Sequence, residues 1–202
     1  MSQTSFDVEA LCAAVQRAAA AAISTAATLN AQDAKMGDGD LGITVASGYG
    51  ELEKQVASFQ EDLGLALLQC AKVFQQTSAS SYGTLTATAF MAAGRFAKGR
   101  TEIPWSELGT LLELARDAMM ARGKGSLGDK SVLDILDHVA QAVKGMDDPA
   151  MIRAAAHLAA SESLDEFRER PCRLGRARAH GNASIGTDDP GMLAMWHLIH
   201  AL

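Results

Sequence analysis

Aromatic residues make up only 5% of the 202 residues, whereas alanine is abundant. Alanine favours helices and is poor in strands, so the composition argues for close-packed helices and against a β-sandwich. The chain also lacks a basic surplus, with a net charge of −6 and a pI near 5.3. Binding duplex nucleic acid requires a basic face. The nearest approach, "RPCRLGRARAH" at Arg170 to His180, is short and lies among glycines, which suits an anion such as phosphate rather than a nucleic-acid partner. Cysteine is limited to Cys12, Cys70 and Cys172, far apart and without a C-x-x-C pair. That excludes a disulfide framework and fits a reducing cytoplasm. Cys12 and Cys70 fall in apolar helical runs and read as small core residues. "MSQTSFDVEA" has no basic stretch of the kind that opens a signal peptide. No unbroken run approaches the ~20 apolar residues of a membrane helix, so no membrane association is expected. Walker A, G-x-G-x-x-G and G-x-S-x-G patterns are absent. His138, His157, His180, His197 and His200 show no zinc spacing and read as ordinary helical or surface residues.

What is present is helical period. Val8, Leu11, Cys12, Val15, Ala19, Ala22, Ile23, Ala26 and Leu29 keep i, i+3, i+4, i+7 spacing and predict a long amphipathic helix. Further helices are predicted over roughly 41–58, 62–77, 81–98, 105–122, 130–144, 148–168 and 188–201. Asp40 is placed to cap the second, Asp129 precedes "KSVLDIL", and Pro104 and Pro149 stand near the starts of two others. No alternating strand pattern appears, so about eight helices and no sheet are expected. With no repeat, linker or low-complexity tract, residues 1–202 read as one domain.

Polar, glycine-rich stretches separate the helices at 36–42, 77–84, 123–129 and 175–191. The last exceeds the ~12–15 residues of an ordinary connection, which marks it as functional. "NAQDAKMGDGDLG" brings Asp33, Asp38 and Asp40 into one flexible corner. Hard carboxylates suit Mg²⁺ or Ca²⁺. An EF-hand is excluded: counted from Asp38 its twelfth position is Tyr49, and counted from Asp33 its third and fifth are Lys35 and Gly37. Converging carboxylates repel, and a bound cation relieves the repulsion. The competing reading is a solvated turn with helix caps. Thr77, Ser78, Ser80 and Ser81 offer hydroxyls at a helix start, where backbone N–H groups attract anions; an ordinary N-cap with spare serines is the alternative.

In order along the chain, "LNAQDAKMGDGDLG", "TSASSYGT", "GKGSLGDKSVLDIL" and "GRARAHGNASIGTDDPGM" resemble the motifs of the nucleotide-binding L subunit of dihydroxyacetone kinases, the DhaL family. The likeness runs over about residues 7 to 200. It implies an all-α barrel of about eight antiparallel amphipathic helices with a nucleotide site at one end. By that likeness Asp33, Asp38 and Asp40 chelate two Mg²⁺ ions. Leu41, Gly42, Ile43, Thr44, Thr77 and Ser78 contact phosphate, and Gly123, Val132, Arg176, Asp189, Pro190 and Gly191 surround the ADP or ATP. The family's keto-sugar sits on a separate K subunit, so this chain is expected to be a phosphotransferase subunit active only with that partner. The phosphoryl donor is ATP or a phosphotransferase-system protein, and the acceptor is dihydroxyacetone or a tetrulose. A non-catalytic Mg-ADP sensor and the kinase half of a fatty-acid kinase are the alternatives. The chain departs from the family pattern at Gln75 and Gln76, where a Gly-Gly pair is usual, at Ala79, usually glycine, and at Leu41, often histidine.

Overall fold

Eight α-helices follow the predicted order in the computed structural model, which describes residues 5–202. They are α1 Val8–Asp33, α2 Leu41–Glu53, α3 Leu63–Thr77, α4 Ser81–Ala97, α5 Leu108–Gly123, α6 Val132–Ala142, α7 Pro149–Arg168 and α8 Pro190–Ala201. Each packs on the next, and α8 also packs on α1. Most start on a side-chain oxygen that satisfies an otherwise orphaned N–H of the first turn. Asp7 accepts from Ala10 N (2.8 Å), Asp62 from Leu65 N (2.9 Å), Ser80 from Gly83 N (3.0 Å) and Asp148 from Met151 N (2.9 Å).

Several sequence expectations need correction. A small antiparallel sheet exists: β1 Ser5–Asp7 pairs with β2 Glu102–Pro104, with Phe6 opposite Ile103. Three-residue strands are too short to show an alternating pattern. Pro104 belongs to β2, and a 3₁₀ turn, Trp105–Glu107, separates it from α5. The start of α6 is Ser131, not Asp129. The Asp129 carboxylate closes the preceding turn on Ser126 N (2.8 Å), while Ser131 and Asp134 form a reciprocal capping box. Helix α2 ends at Glu53, five residues early, and gives way to a 3₁₀ turn at Val56–Ser58. The long loop is not structureless, because Arg176–Ser184 winds as 3₁₀ helix, broken at Gly181. Cys70 is fully buried as expected, but Cys12 is only partly buried, and its thiol faces Val56 O.

Separate apolar clusters tie neighbouring helices together. Leu11 and Val15 of α1 meet Leu63, Leu67, Cys70 and Phe74 of α3. Leu29, Leu41, Val45, Ala194 and Leu198 join α1, α2 and α8, and Ile135, Val139, Leu164 and Met192 join α6, α7 and α8. Helix α1 is, by length and composition, apolar enough to cross a membrane, with a mean hydropathy of 1.3. Alanines and aliphatic residues produce that value despite the polar residues among them, which a search for an unbroken apolar run misses. Its Leu11, Val15 and Leu29 are core residues. At α2 the closeness of packing is set by Gly42: a Cβ there would collide with Ala26 O of α1, so glycine allows the start of α2 to lie against α1.

Candidate functional site

The end of α1 and the start of α2 build an acidic corner around one carboxylate. Asp33 Oδ2 accepts N–H bonds from Gly39 (2.9 Å), Asp40 (3.1 Å) and Leu41 (3.4 Å), which curls the chain back over the helix end. Gly39 takes φ +76°, a left-handed conformation open to glycine. A Cβ on Gly37 would strike Asp33 Oδ1. The curl brings one oxygen each of Asp33, Asp38 and Asp40 within 4.8 Å of one another. Asp40 stands at the N-cap of α2 with φ −113° and ψ 1°, and it makes no capping bond. Its carboxylate therefore stays available. Across the gap, the Arg176 guanidinium pairs with Asp38.

A cation fits this corner. One guanidinium leaves two of the three carboxylate charges uncompensated, and hard oxygens at this spacing suit a hard divalent ion such as Mg²⁺.

The corner forms one wall of a cleft of about 490 Å³. Asp33, Asp38, Asp40, Leu41 and Thr44 line it on one side; Gly123 and Val132 line it from α5 and α6; Arg176, Asp189, Pro190 and Gly191 line it from the segment that leads into α8. Four residues implicated by the resemblance lie outside this lining. Gly42 is buried against α1, and the Ile43 side chain is exposed while its N–H meets Asn30 Oδ1 (3.2 Å). Thr77 bonds back to Val73 O (2.8 Å) at the end of α3 and faces a separate shallow groove with Ile23 and Ser47. Ser78 pairs with Ser80 (2.9 Å). Of the four hydroxyls at this helix start, Ser80 and Ser81 are the ones that face the cleft.

Sequence reasoning missed part of the floor: Met36, Tyr82, Leu85, Arg122, Ser131 and Leu174. Tyr82 was visible only as an aromatic inside a helical run. Its hydroxyl is buried without a hydrogen-bond partner, and burial pushes its pKa well above the ordinary tyrosine value. Asp189 is buried and caps α8 through Met192 N (2.9 Å). Burial raises its pKa to about 6, opposed by the N–H bonds of Met192 and Gly191 and by the charge of Lys130. Buried and half-buried residues such as Met36, Tyr82 and Leu85 beneath an exposed acidic rim are the form of a small-ligand site whose polar end is charged.

Comparisons with known proteins match this chain in sequence and in fold. Residues 35–202 match the model of the DAK2 domain. The chain is 26% identical over 180 residues to the PEP-dependent dihydroxyacetone kinase, ADP-binding subunit DhaL, of Escherichia coli K12, covering 86% of this chain and 85% of the relative. It is 30% identical over 174 residues to the ADP-binding subunit DhaL of PEP-dependent dihydroxyacetone kinase 1 of Listeria innocua, covering 84% and 82%. All of it superposes on the crystal structure of the dihydroxyacetone kinase of C. freundii with a TM-score of 0.75 at 23% identity, spanning 35% of that chain. The same kinase has been solved in complex with AMP-PNP and Mg²⁺. Matched along most of its length by the family model, this all-α chain belongs to the DAK2-domain family that includes the DhaL subunits.

Proposed function

We propose that this chain is the ADP- or ATP-binding subunit of a dihydroxyacetone-type kinase, a single-domain phosphotransferase subunit that acts with a separate K subunit holding the ketose. The observation that carries this reading is the meeting of Asp33, Asp38 and Asp40 at the rim of a cleft whose opposite wall presents Arg176. Membership of the family and coverage of most of the length of DhaL-named relatives support it. The closed order of helix neighbours supports a barrel with the site at one end.

Asp33, Asp38 and Asp40 would hold two Mg²⁺ ions, which would supply neutralisation of the phosphate charge. The chain's own residues hold and orient. Asp33 fixes the corner through three backbone N–H groups, leaving Asp38 and Asp40 to complete the metal set. Ser80 and Ser81 offer hydroxyls beside the N-terminus of α4, where an anion is favoured. Arg176 pairs with Asp38 now and would exchange that partner for a phosphate oxygen, which a planar guanidinium suits. Leu85, Val132 and Leu174 supply an apolar surface for a base. Relatives named PEP-dependent favour a phosphotransferase-system protein as the source of the phosphoryl group. The free thiols fit a reducing cytoplasm.

Reconstitution tests this. The purified chain with Mg²⁺, dihydroxyacetone and either ATP or a phosphorylated donor protein should form no product until a K subunit is added. Turnover by the chain alone would reveal a sugar site of its own. Tight Mg-ADP binding with no turnover in the presence of the K subunit would favour the sensor reading, which the departures at Gln75, Gln76 and Ala79 motivate.

A further inference from the structure

A buried lysine lies behind the cleft wall. Lys130 is 1% exposed and sits between the α5–α6 turn and the start of α6. Its backbone takes φ +60°, a left-handed conformation unusual for a side chain of this size. Such conformations persist where the surroundings over-determine them.

Its ammonium has three N–H donors and meets three carbonyls: Arg168 O (3.1 Å), Arg170 O (2.8 Å) and Ser184 O (2.9 Å). Among the described residues no carboxylate pairs with it directly. Burial lowers its pKa, while Cys172, Asp189, Asp188 and Glu169 oppose the shift. An unpaired buried ammonium is costly unless every donor is satisfied, and here every donor has an acceptor.

The placement of the acceptors matters more than their number. Arg168 and Arg170 precede the wall residues Gly175, Arg176 and Ala177, and Ser184 follows them. One ammonium therefore closes both ends of the wall segment. Neighbouring bonds brace the same two ends: Arg173 N to Asp129 O (2.8 Å), Gly186 N to Arg168 O (2.9 Å) and Cys172 N to Ser184 Oγ (2.8 Å). Between these ties the Arg176 side chain is two-thirds exposed and free to change partner. The backbone is tied at both ends, and the guanidinium lies exposed between the ties.

We infer that Lys130 is a positioning residue for nucleotide binding: by tying Arg168, Arg170 and Ser184 to one point it sets where Arg176 stands across from the acidic corner. The inference rests on the nucleotide reading above and assigns Lys130 no contact with the ligand.

The test is a double-mutant cycle read by calorimetry of Mg-ADP binding. Lys130→Met, of similar length but without donors, should weaken binding by about tenfold, within the usual range of coupling between sites. In an Arg176→Ala background the same change should cost less than about twofold, since a residue that acts through another adds little once that other is gone. Equal losses in both backgrounds would overturn the inference. So would a lowered Tm with unchanged affinity, which is the signature of a purely structural lysine. If Lys130→Met does not fold, hydrogen exchange of the wild-type chain decides. Mg-ADP should slow exchange from Cys172 to Gly186 as one block, and slowing confined to 175–177 would overturn the coupling. A wild-type chain that binds no Mg-ADP removes the nucleotide reading and this inference together. A wild-type chain that binds, beside a Lys130→Met variant that binds equally well, removes this inference alone.

Discussion

Two aspartates stand at the same position relative to a helix and do opposite things. Asp40 precedes α2 and Asp189 precedes α8. Asp189 has φ −65° and ψ 132°, the extended backbone that turns a side chain onto the first helical turn, and it caps Met192 N. Asp40 has φ −113° and ψ 1° because the curl around Asp33 rotates it, and it caps nothing. One carboxylate is thereby committed to the fold and buried, and the other is exposed and open to a cation. Residue type and helix position are the same; the backbone conformation imposed by the neighbouring residues decides between structure and ligand.

The two should respond differently to mutation. The largest effect is expected for Asp40→Ala, which should weaken Mg-ADP binding by about a thousandfold, or ~4 kcal/mol. Stability without ligand should be unchanged or slightly higher, because one of three mutually repelling carboxylates is gone. Calorimetry and thermal unfolding of the same preparation check both halves, and a loss of stability would mean that Asp40 is structural after all. Next comes Arg176→Ala, which should cost about 1.5–3 kcal/mol of nucleotide affinity, the range for a hydrogen bond to a charged group. Normal affinity in that variant would make the 3₁₀ segment mere scaffold.

Asp189→Ala should act on the fold instead, lowering unfolding free energy by about 1 kcal/mol through the lost cap. Denaturant titration reads this, and an unchanged midpoint would contradict the cap's importance. The smallest effect is expected for Asp189→Asn, which keeps an oxygen to accept from Met192 N and removes the titration. In the folded chain Asp189 has its pKa raised from 3.8 to about 6. The folded state therefore binds more protons than the unfolded state between these values, so this group's contribution is fully present below pH 4 and is lost as pH rises through 6. Stability measured from pH 4 to 6 should fall less steeply in Asp189→Asn than in the wild type. Parallel slopes would show that Asp189 does not titrate in this window.

Local features were legible in the sequence and distant ones were not. The acidic corner could be read because Asp33, Asp38 and Asp40 lie within eight residues and the glycines between them serve the turn. The helices could be read because apolar period survives in α1 and α3. The α6 start was misplaced because Asp129 and Ser131 are both good caps two residues apart, and the side chains choose by closing different turns. The 3₁₀ segment escaped because its buried residues, Ala177 and Ser184, are seven apart in a run of polar and small residues. Lys130 escaped for a different reason. In sequence a lysine before a helix looks like a solvated charge, and only the approach of carbonyls about forty and fifty residues later makes it a buried clamp.

The measurement that tests the account most directly is calorimetric titration of ADP into the wild-type chain, first with Mg²⁺ and then with EDTA. If the three aspartates hold metal and the metal holds phosphate, binding should be clear with Mg²⁺ and collapse with EDTA. Equal ADP affinity in the two conditions would contradict the central claim and leave the acidic corner a turn.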